Sequence, residues 1–272
     1  MIRKNVAGAR RLGLAAGAAA AALAVGWAAA SPAAAAQSPS AAVANDILTV
    51  TGTGDSDRIA LRLEAGAPGT LQVDFGDDGS ADFSFDRSTF SRIEVFALGG
   101  SDQFRMDQVN GAFADEAATI DGGRDGDILN GGDGNELFIG RGGNDAVDGN
   151  RGDDTALLGS GDDSFRWDPG DGSDVVEGKN GTDTLDFNGA GGGEKMSLSP
   201  NGHRSLFLRD VANIRMDMGD VEQLDLTTLG GVDTFTVDNM SGTDFHRADV
   251  DLSGPTGGGD ALADIRHCRP GC

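Results

Sequence analysis

The sequence predicts an all-β protein in which short strands stack as a β-solenoid and Gly/Asp turns join them. Three observations favour this class. Glycine is unusually frequent, with 44 of 272 residues, and aromatic residues make up only 6%, so thin stacked layers fit better than a conventional core. Apolar and polar residues alternate with period two in many short segments, as expected for half-buried strands. A nine-residue phrase recurs between Asp121 and Gly189, which is typical of a repeat architecture.

The first 36 residues form a separate segment. Four basic residues lie near its start, an alanine-rich apolar stretch covers Leu12 to Ala30, and Ala34-Ala35-Ala36 precedes Gln37. This order is typical of a secretory signal peptide, and a retained membrane anchor is the alternative. We therefore expect a secreted, extracellular protein with no membrane insertion after cleavage. Export would use the Sec route or, through Arg10-Arg11, the twin-arginine route.

The charge of the chain restricts its partners. Lys and Arg number 21 against 44 Asp and Glu, which gives a net charge of −23. Removal of the basic residues of the signal segment would leave 17 basic residues and a net charge of −27. Such a surface excludes broad affinity for nucleic acid or for an anionic membrane, and it favours cations.

The mature chain is predicted to contain four parts around the repeats. Residues 37–45 are a linker, 46–120 and 190–264 are N-terminal and C-terminal β-layers, and 265–272 are an irregular tail with Cys268 and Cys272. Phe90–Gly111 and Val221–Gly242 match without a gap. We therefore expect similar β-layers on both sides of the repeats, in one continuous stack rather than in separate domains.

The repeats, residues 121–189, carry an acid at the sixth place and an apolar residue at the eighth. The acids are separated by 9, 9, 9, 9, 11 and 9 residues, and the longer step contains Trp167-Asp168-Pro169. A disordered acidic linker would not keep the apolar eighth place in register, so a packed seam is expected. The sixth-place acids are Asp127, Glu136, Asp145, Asp154, Asp163, Asp174 and Asp183, and the eighth-place residues are Leu129, Phe138, Val147, Ala156, Phe165, Val176 and Leu185.

Stacked turns bring the acids into rows, where neighbouring carboxylates repel by roughly 1 kcal/mol in water and about 4 kcal/mol at an effective dielectric near 20. A divalent cation between turns would reverse the sign of this interaction. Oxygen ligands without Cys or His suit a hard ion, and flexible coordination by six to eight oxygens suits Ca²⁺ better than Mg²⁺. The predicted cofactor is therefore Ca²⁺, in several copies, with folding coupled to its binding.

The array resembles the RTX, or hemolysin-type, calcium-binding repeat, whose consensus is G-G-x-G-x-D-x-U-x. The resemblance covers about a quarter of the chain. It implies a parallel β-roll with two nonapeptides per turn and calcium between acids two repeats apart. The implied pairs are Asp127 with Asp145, Glu136 with Asp154, Asp145 with Asp163, Asp154 with Asp174, and Asp163 with Asp183.

The last two pairs are 20 residues apart rather than 18, so the insertion is expected to distort or break their sites. Glu136 replaces the consensus Asp, and its longer side chain is expected to weaken its site. In the family, turn carbonyls complete the metal shell. The resemblance therefore implies Gly123, Asp125, Gly140 and Gly142 for the first site, and Gly132, Gly134 and Gly149 for the second.

Asp57, Asp102 and Asp233 lie in similar turns but lack a neighbour at the repeat spacing, which favours turn capping over calcium binding. The chain has three histidines, no H-E-x-x-H motif and no G-x-S-x-G motif, which excludes a zinc protease or an α/β-hydrolase of those classes. The leading hypothesis is a secreted, non-catalytic calcium-binding protein. The alternatives are an extracellular adhesion module and a polysaccharide-modifying enzyme whose site lies on a solenoid groove.

Overall fold

The computed structural model describes residues 37–252 and the backbone of Ile265–Cys268. The predicted signal peptide and most of the predicted tail lie outside the described residues. The prediction of an all-β fold is confirmed, because the only helical elements within 37–252 are two 3-10 turns, Arg87–Thr89 and Val211–Asn213. No helix in the described part is long and apolar enough to cross a membrane.

The described residues contain 22 strands. They are β1 Ser40–Ala44, β2 Ile47–Thr51, β3 Arg58–Glu64, β4 Ala67–Phe75, β5 Phe83–Asp86, β6 Arg92–Phe96, β7 Gln103–Asp107, β8 Ala117–Arg124, β9 Ile128–Asn130, β10 Leu137–Gly142, β11 Ala146–Asp148, β12 Thr155–Ser160, β13 Ser164–Trp167, β14 Val175–Asn180, β15 Thr184–Asn188, β16 Lys195–Asn201, β17 Arg204–Arg209, β18 Ile214–Gly219, β19 Gln223–Thr227, β20 Thr234–Val237, β21 Arg247–Asp251 and β22 Ile265–Cys268.

These strands form two sheets. Sheet A has the order β1-β2-β6-β8-β10-β12-β14-β18-β17-β16-β20-β22, and sheet B has the order β21-β19-β15-β13-β11-β9-β7-β3-β4-β5. From β6 to β15 the chain passes from one sheet to the other at every strand, and each new strand pairs in parallel with the previous strand of its own sheet. Nine-residue spacing therefore produces two parallel ladders with a turn between every pair of strands.

The predicted apolar seam is confirmed. All seven eighth-place side chains are at most 1% exposed. They alternate between the sheets, because Leu129, Val147 and Phe165 belong to sheet B strands and Phe138 and Ala156 belong to sheet A strands. Both sets belong to one buried apolar cluster. Successive side chains of a strand point to opposite faces of its sheet, so each sheet has one apolar face that packs on the other sheet.

The predicted linker is wrong in part. Ser40–Ala44 is a strand that pairs antiparallel with Ile47–Thr51. The two residues between them, Asn45 and Asp46, have φ values of 52° and 66°, which is the left-handed geometry of a tight hairpin turn. Ala41 and Val43 pack against the buried cluster, so this segment forms the edge strand of sheet A.

The tail also differs from its prediction, since Ile265–Cys268 is a strand that pairs in parallel with β20. A second difference concerns the two matching flanks. The strands of Phe90–Gly111 lie in sheets A and then B, whereas those of Val221–Gly242 lie in sheets B and then A. The chain crosses between the sheets an odd number of times from β6 to β19, and the antiparallel run β16-β17-β18 keeps it in sheet A for three strands without changing this order.

The insertion at Trp167 is accommodated at the end of β13. The indole is fully buried, stacks on Phe187 with ring centroids 4.1 Å apart, and lies 5.0 Å from the guanidinium carbon of Arg209. Its Nε1 donates to the Gly172 carbonyl at 2.9 Å. The extra residues are therefore placed in the turn that leads from sheet B to sheet A, and the register of β13 with β15 is kept.

A core substitution tests the packing between the sheets. Phe165→Ala removes a fully buried ring, so the free energy of unfolding should fall by about 3–5 kcal/mol. Val109→Ala is the matched control, because Val109 is 76% exposed and its loss should cost less than about 0.5 kcal/mol. Urea unfolding monitored by circular dichroism gives both values, and equal effects of the two substitutions would contradict the described core.

Candidate metal centre

Each acid of the array lies immediately before a strand, where the turn ends. We call the acids that form one in-register series along sheet B row B, and the three array acids that precede sheet A strands row A. Row B contains Asp57, Asp102, Asp127, Asp145, Asp163, Asp183 and Glu222, and row A contains Glu136, Asp154 and Asp174. Parallel pairing in register places consecutive members of a row next to one another.

The structure brings together all five pairs of neighbouring acids that the sequence predicts. In each pair the main-chain N–H of the earlier acid donates to one carboxylate oxygen of the later acid, at 2.7–2.9 Å. The two pairs that are 20 residues apart are included, at 2.8 Å for Asp154 with Asp174 and 2.9 Å for Asp163 with Asp183. The insertion therefore does not separate these pairs, and its expected effect on their calcium sites stays a prediction.

The turns before the array acids of row B share a backbone conformation. The second and fourth places of the nonapeptide have positive φ, as in Arg141 (73°) and Gly143 (122°) before Asp145, and in Gly159 (117°) and Gly161 (140°) before Asp163. Lys179 at 82° shows that the second place keeps this conformation even without glycine. Left-handed residues of this kind turn the chain sharply between two strands.

Glycine is needed at the first place of the nonapeptide for a different reason. A β-carbon built on Gly140 would lie 2.3 Å from Oδ2 of Asp145, and one built on Gly149 would lie 2.2 Å from Oδ2 of Asp154. The carboxylates of Asp145 and Asp154 therefore fold back over the glycines five residues earlier. Gly122 and Gly178 have the same relation to Asp127 and Asp183, at 2.4 and 2.3 Å. These glycines provide space for an oxygen rather than freedom for a turn.

The second carboxylate oxygen is consequently buried. Oδ2 of Asp127, Asp145, Asp154, Asp163 and Asp183 has no hydrogen-bond partner, and these five side chains belong to residues that are at most 2% exposed. Buried polar atoms are normally paired, because an unpaired one has lost its hydration without compensation. Each of these carboxylates thus has one satisfied and one unsatisfied oxygen.

Glu136 differs from the aspartates. Its Oε2 accepts the N–H of Gly132 in its own turn at 2.9 Å, and a β-carbon on Gly134 would lie 2.5 Å from its Oε1. Neither Gly132 nor Gly134 has positive φ. The longer side chain therefore reaches back into its own turn, and this carboxylate has no buried oxygen left without a partner.

The remaining residues predicted to supply carbonyls lie in the same turns. Gly123 and Asp125 are the two left-handed residues before Asp127, with φ of 107° and 69°. Gly142 lies beside Ser160 of the next turn in sheet A. The carbonyl oxygen of Leu158 lies 2.3 Å from the β-carbon position of Gly140, as does Oδ2 of Asp145. A carboxylate oxygen and a turn carbonyl thus face the same first-place glycine.

A second ladder of hydrogen bonds, at the fifth place of the nonapeptide, is not among the features predicted from the sequence. Asp162 N–H donates to Oδ1 of Asn144 at 3.0 Å, and Thr182 N–H donates to Oδ1 of Asp162 at 2.9 Å. Asn135, Asp153 and Ser173 are linked in the same way between the turns of row A. These bonds run from the later turn to the earlier one, opposite to the sixth-place ladder. The signal in the sequence is the Asn, Asp, Ser or Thr that precedes most sixth-place acids.

Row B is longer than predicted. Asp57 N–H donates to Asp102 at 2.7 Å, and Asp102 N–H donates to Asp127 at 2.8 Å. At the other end, Asp183 N–H donates to Glu222 at 2.8 Å. Asp57 and Asp102 thus have neighbouring acids in the fold although none lies at the repeat spacing, because intervening residues lengthen the spacing to 45 and 25 without changing the register of the strands.

The other acid assigned to turn capping, Asp233, immediately precedes strand β20 of sheet A. Its Oδ1 accepts the N–H of Glu194 at 2.9 Å. Glu194 forms a buried ion pair with Arg209. Glu194 precedes strand β16 as a sixth-place acid precedes its strand, and the chain supplies the guanidinium of Arg209 as its cationic partner. Row A itself ends at apolar residues, since Ala118 and Met216 occupy the register positions next to Glu136 and Asp174.

Burial changes the protonation of these acids. Desolvation raises the pKa of Asp127, Asp145 and Asp183 to about 7 and that of Asp154 to about 9, against the lowering effect of the main-chain N–H bonds. Repulsion from neighbouring carboxylates contributes in the same direction. The pKa of Asp174 is likewise raised to about 7, and those of Glu136 and Asp163 are raised.

No group of three or more Asp, Glu, His or Cys side chains converges on one point in the described part of the chain. A cation in these rows would therefore be held by pairs of carboxylates together with main-chain carbonyls. This donor set consists only of oxygen, which suits a hard cation. The unpartnered oxygens fit such an ion, because they are anionic, buried and without any other partner.

Comparison with known protein families, curated proteins and solved structures gave no match. The resemblance to RTX repeats therefore rests on the residues of the array, and calcium binding stays a prediction.

The raised pKa values predict how pH affects the metal-free protein. A carboxyl whose pKa is about 3.9 when unfolded and about 7 when folded holds its proton more tightly in the folded state. The free energy of unfolding should therefore fall as pH rises between about 4 and 7. With a chelator present to remove metal ions, the unfolding temperature should be higher at pH 5 than at pH 8. Asp145→Asn should reduce this difference, and an unfolding temperature that rises with pH in wild type would contradict the described burial.

Proposed function

We propose that this chain is a secreted, non-catalytic calcium-binding protein whose two parallel ladders form an RTX-like β-roll that calcium stabilises. Its signal-like first 36 residues support export, and its net charge of −23 supports a cationic ligand. The calcium ions would be held by sixth-place acids of consecutive turns, with turn carbonyls completing each shell. The β-roll is the interpretation that fits a chain alternating between two sheets at every strand from β6 to β15.

One observation carries the proposal: five of the six aspartates of the array each leave one carboxylate oxygen buried and without a hydrogen-bond partner. Leaving such a group uncompensated costs free energy, and this cost is larger when the group is charged. A cation would offset the cost and the repulsion between neighbours. Glu194 supports this reading, because there the corresponding carboxylate has Arg209 as a buried partner.

Carboxylate and carbonyl oxygens in irregular turns favour Ca²⁺ over Mg²⁺, since Mg²⁺ demands near-ideal octahedral geometry and loses its water reluctantly. Extracellular modules bind calcium with dissociation constants of about 10⁻⁴–10⁻³ M, and we expect this range. Protons bind the same oxygens, so calcium affinity should increase with pH across the range in which the acids lose their protons.

A catalytic role has less support. Several acids outside the rows form structural contacts, such as the buried pair of Arg62 with Asp74 at 2.7 Å. The array, residues 121–189, contains no histidine. A glycosidase uses two carboxyl groups with different roles, whereas five aspartates of the array repeat one arrangement. The proposal is therefore a binding protein in which repetition itself provides the sites.

Calcium titration of the metal-free mature protein tests the coupling of metal and fold. Trp167, which is fully buried and stacked on Phe187, is the only tryptophan after residue 36, so its fluorescence reports packing beside the array. We expect its emission to shift to shorter wavelength, and the β-signal in far-UV circular dichroism to increase, with a midpoint near 10⁻⁴–10⁻³ M Ca²⁺. A full β-signal and unchanged fluorescence without calcium would contradict the coupling, and equal efficacy of Mg²⁺ would contradict the selectivity.

A single substitution distinguishes calcium binding by the rows from a response to the overall negative charge of the protein. Asp145 belongs to two predicted pairs, so Asp145→Asn should raise the calcium midpoint roughly tenfold, which corresponds to about 1.4 kcal/mol. Asp148→Asn is the matched control, because Asp148 is a strand residue outside the rows and the new amide oxygen can still accept the N–H of Asn150. Its midpoint should change less than twofold. Equal effects of the two substitutions would show that calcium responds to overall charge rather than to the rows.

A further inference from the structure

We propose that a further calcium ion binds between the turns of Asp102 and Asp127, outside the nonapeptide array. This inference rests on the proposed function and extends it to a residue whose sequence context favours turn capping. The 25 residues that separate the two acids hide the relation in the sequence. In the fold, the two acids precede strands β7 and β9, which pair in register.

The contact between the two acids repeats that of the array. Asp102 N–H donates to Oδ1 of Asp127 at 2.8 Å, the same distance as from Asp127 N–H to Asp145. Asp102 and Asp127 are each 1% exposed. Oδ2 of each is buried without a hydrogen-bond partner, so this step of the row contains two unsatisfied anionic oxygens. No described Lys or Arg forms an ion pair with either acid.

The turn before Asp102 also has the backbone of an array turn. Leu98 and Gly100 have φ of 85° and 95°, at the second and fourth places counted from Asp102. A leucine with positive φ is uncommon, because its β-carbon is crowded in this conformation. The fold nevertheless holds Leu98 there, as it holds Arg141 and Lys179 at the corresponding places of the array.

Two more bonds tie this turn to the next one. Arg124 N–H donates to the Leu98 carbonyl at 3.0 Å, and Gly100 N–H donates to the Asp125 carboxylate at 3.2 Å. The loops of Asp102 and Asp127 are therefore stacked as closely as loops within the array. The geometry that we assign to calcium begins here rather than at the first nonapeptide.

The next step of row B lacks this geometry. In the turn of Asp57, Thr53 and Asp55 occupy the second and fourth places, and neither has positive φ. Oδ2 of Asp57 accepts the Thr53 N–H at 2.6 Å and its hydroxyl at 3.0 Å. Oδ2 of Asp57 is thus satisfied within its own turn, whereas Oδ2 of Asp102 has no hydrogen-bond partner. The metal-binding part of row B therefore ends between Asp57 and Asp102.

The number of bound calcium ions tests the proposal. Asp102→Asn removes the charge but keeps an oxygen that accepts the N–H of Asp57. Equilibrium dialysis of the full mature chain against Ca²⁺, with metal analysis, should show one ion fewer than wild type. Asp57→Asn is the matched control and should bind the wild-type number. Circular dichroism at saturating calcium checks that each variant is folded.

A second pair of variants leaves every carboxylate in place. Leu98→Val puts a β-branched residue at positive φ and should lose the same single ion, whereas Leu98→Gly should keep it. Unchanged stoichiometry in both Asp102→Asn and Leu98→Val would overturn the site. The proposed function fails separately, if wild type binds no calcium or if Asp145→Asn has no effect, so the two failures are distinguishable.

Discussion

The stacking of like charges is the constraint on which the rest of the structure depends. Parallel strands with a nine-residue period place the same residue of every second repeat side by side, and here that residue is an acid. Two carboxylates about 4 Å apart repel by roughly 1 kcal/mol in water and by about 4 kcal/mol at an effective dielectric near 20. Seven acids in row B and three in row A repeat this interaction. The fold must therefore offset it at every turn.

Hydrogen bonding offsets only part of this cost. Oδ1 of each array aspartate accepts a main-chain N–H from the preceding turn, as Asp145 does from Asp127 at 2.8 Å, and such bonds to a charged acceptor are stronger than neutral ones. Oδ2 packs over a glycine α-carbon instead, as at Gly140. The high glycine content thus has two origins: left-handed turn residues such as Gly143, and first-place glycines whose missing side chain makes room for an oxygen.

Much of the fold follows from the sequence because local periodicity dictates it. The eighth-place seam and the neighbouring acid pairs follow from a fixed spacing, and the alternating segments of residues 46–120 indicate strands that the structure contains. The membership of Asp102 in row B depends instead on strand register, which is independent of loop length and has no trace in the spacing. The opposite sheet order of Phe90–Gly111 and Val221–Gly242 follows from the odd number of sheet crossings between them, which the match of the two segments does not reveal.

The two oxygens of each aspartate have separable roles, and this bears on how the protein responds to its surroundings. The Oδ1 ladder and the fifth-place ladder of Asn144, Asp162 and Thr182 consist of hydrogen bonds within the protein. They hold the register of the turns and need no metal. The buried Oδ2 needs a positive partner, which is either a proton or a cation. The pKa values of Asp127 and Asp145 are raised to about 7, so under the proposed function protons and calcium ions would compete for the same atoms close to neutral pH. Hydrogen bonds specify the stacking, and under the same proposal its stability would depend on whether protons or calcium ions occupy the rows.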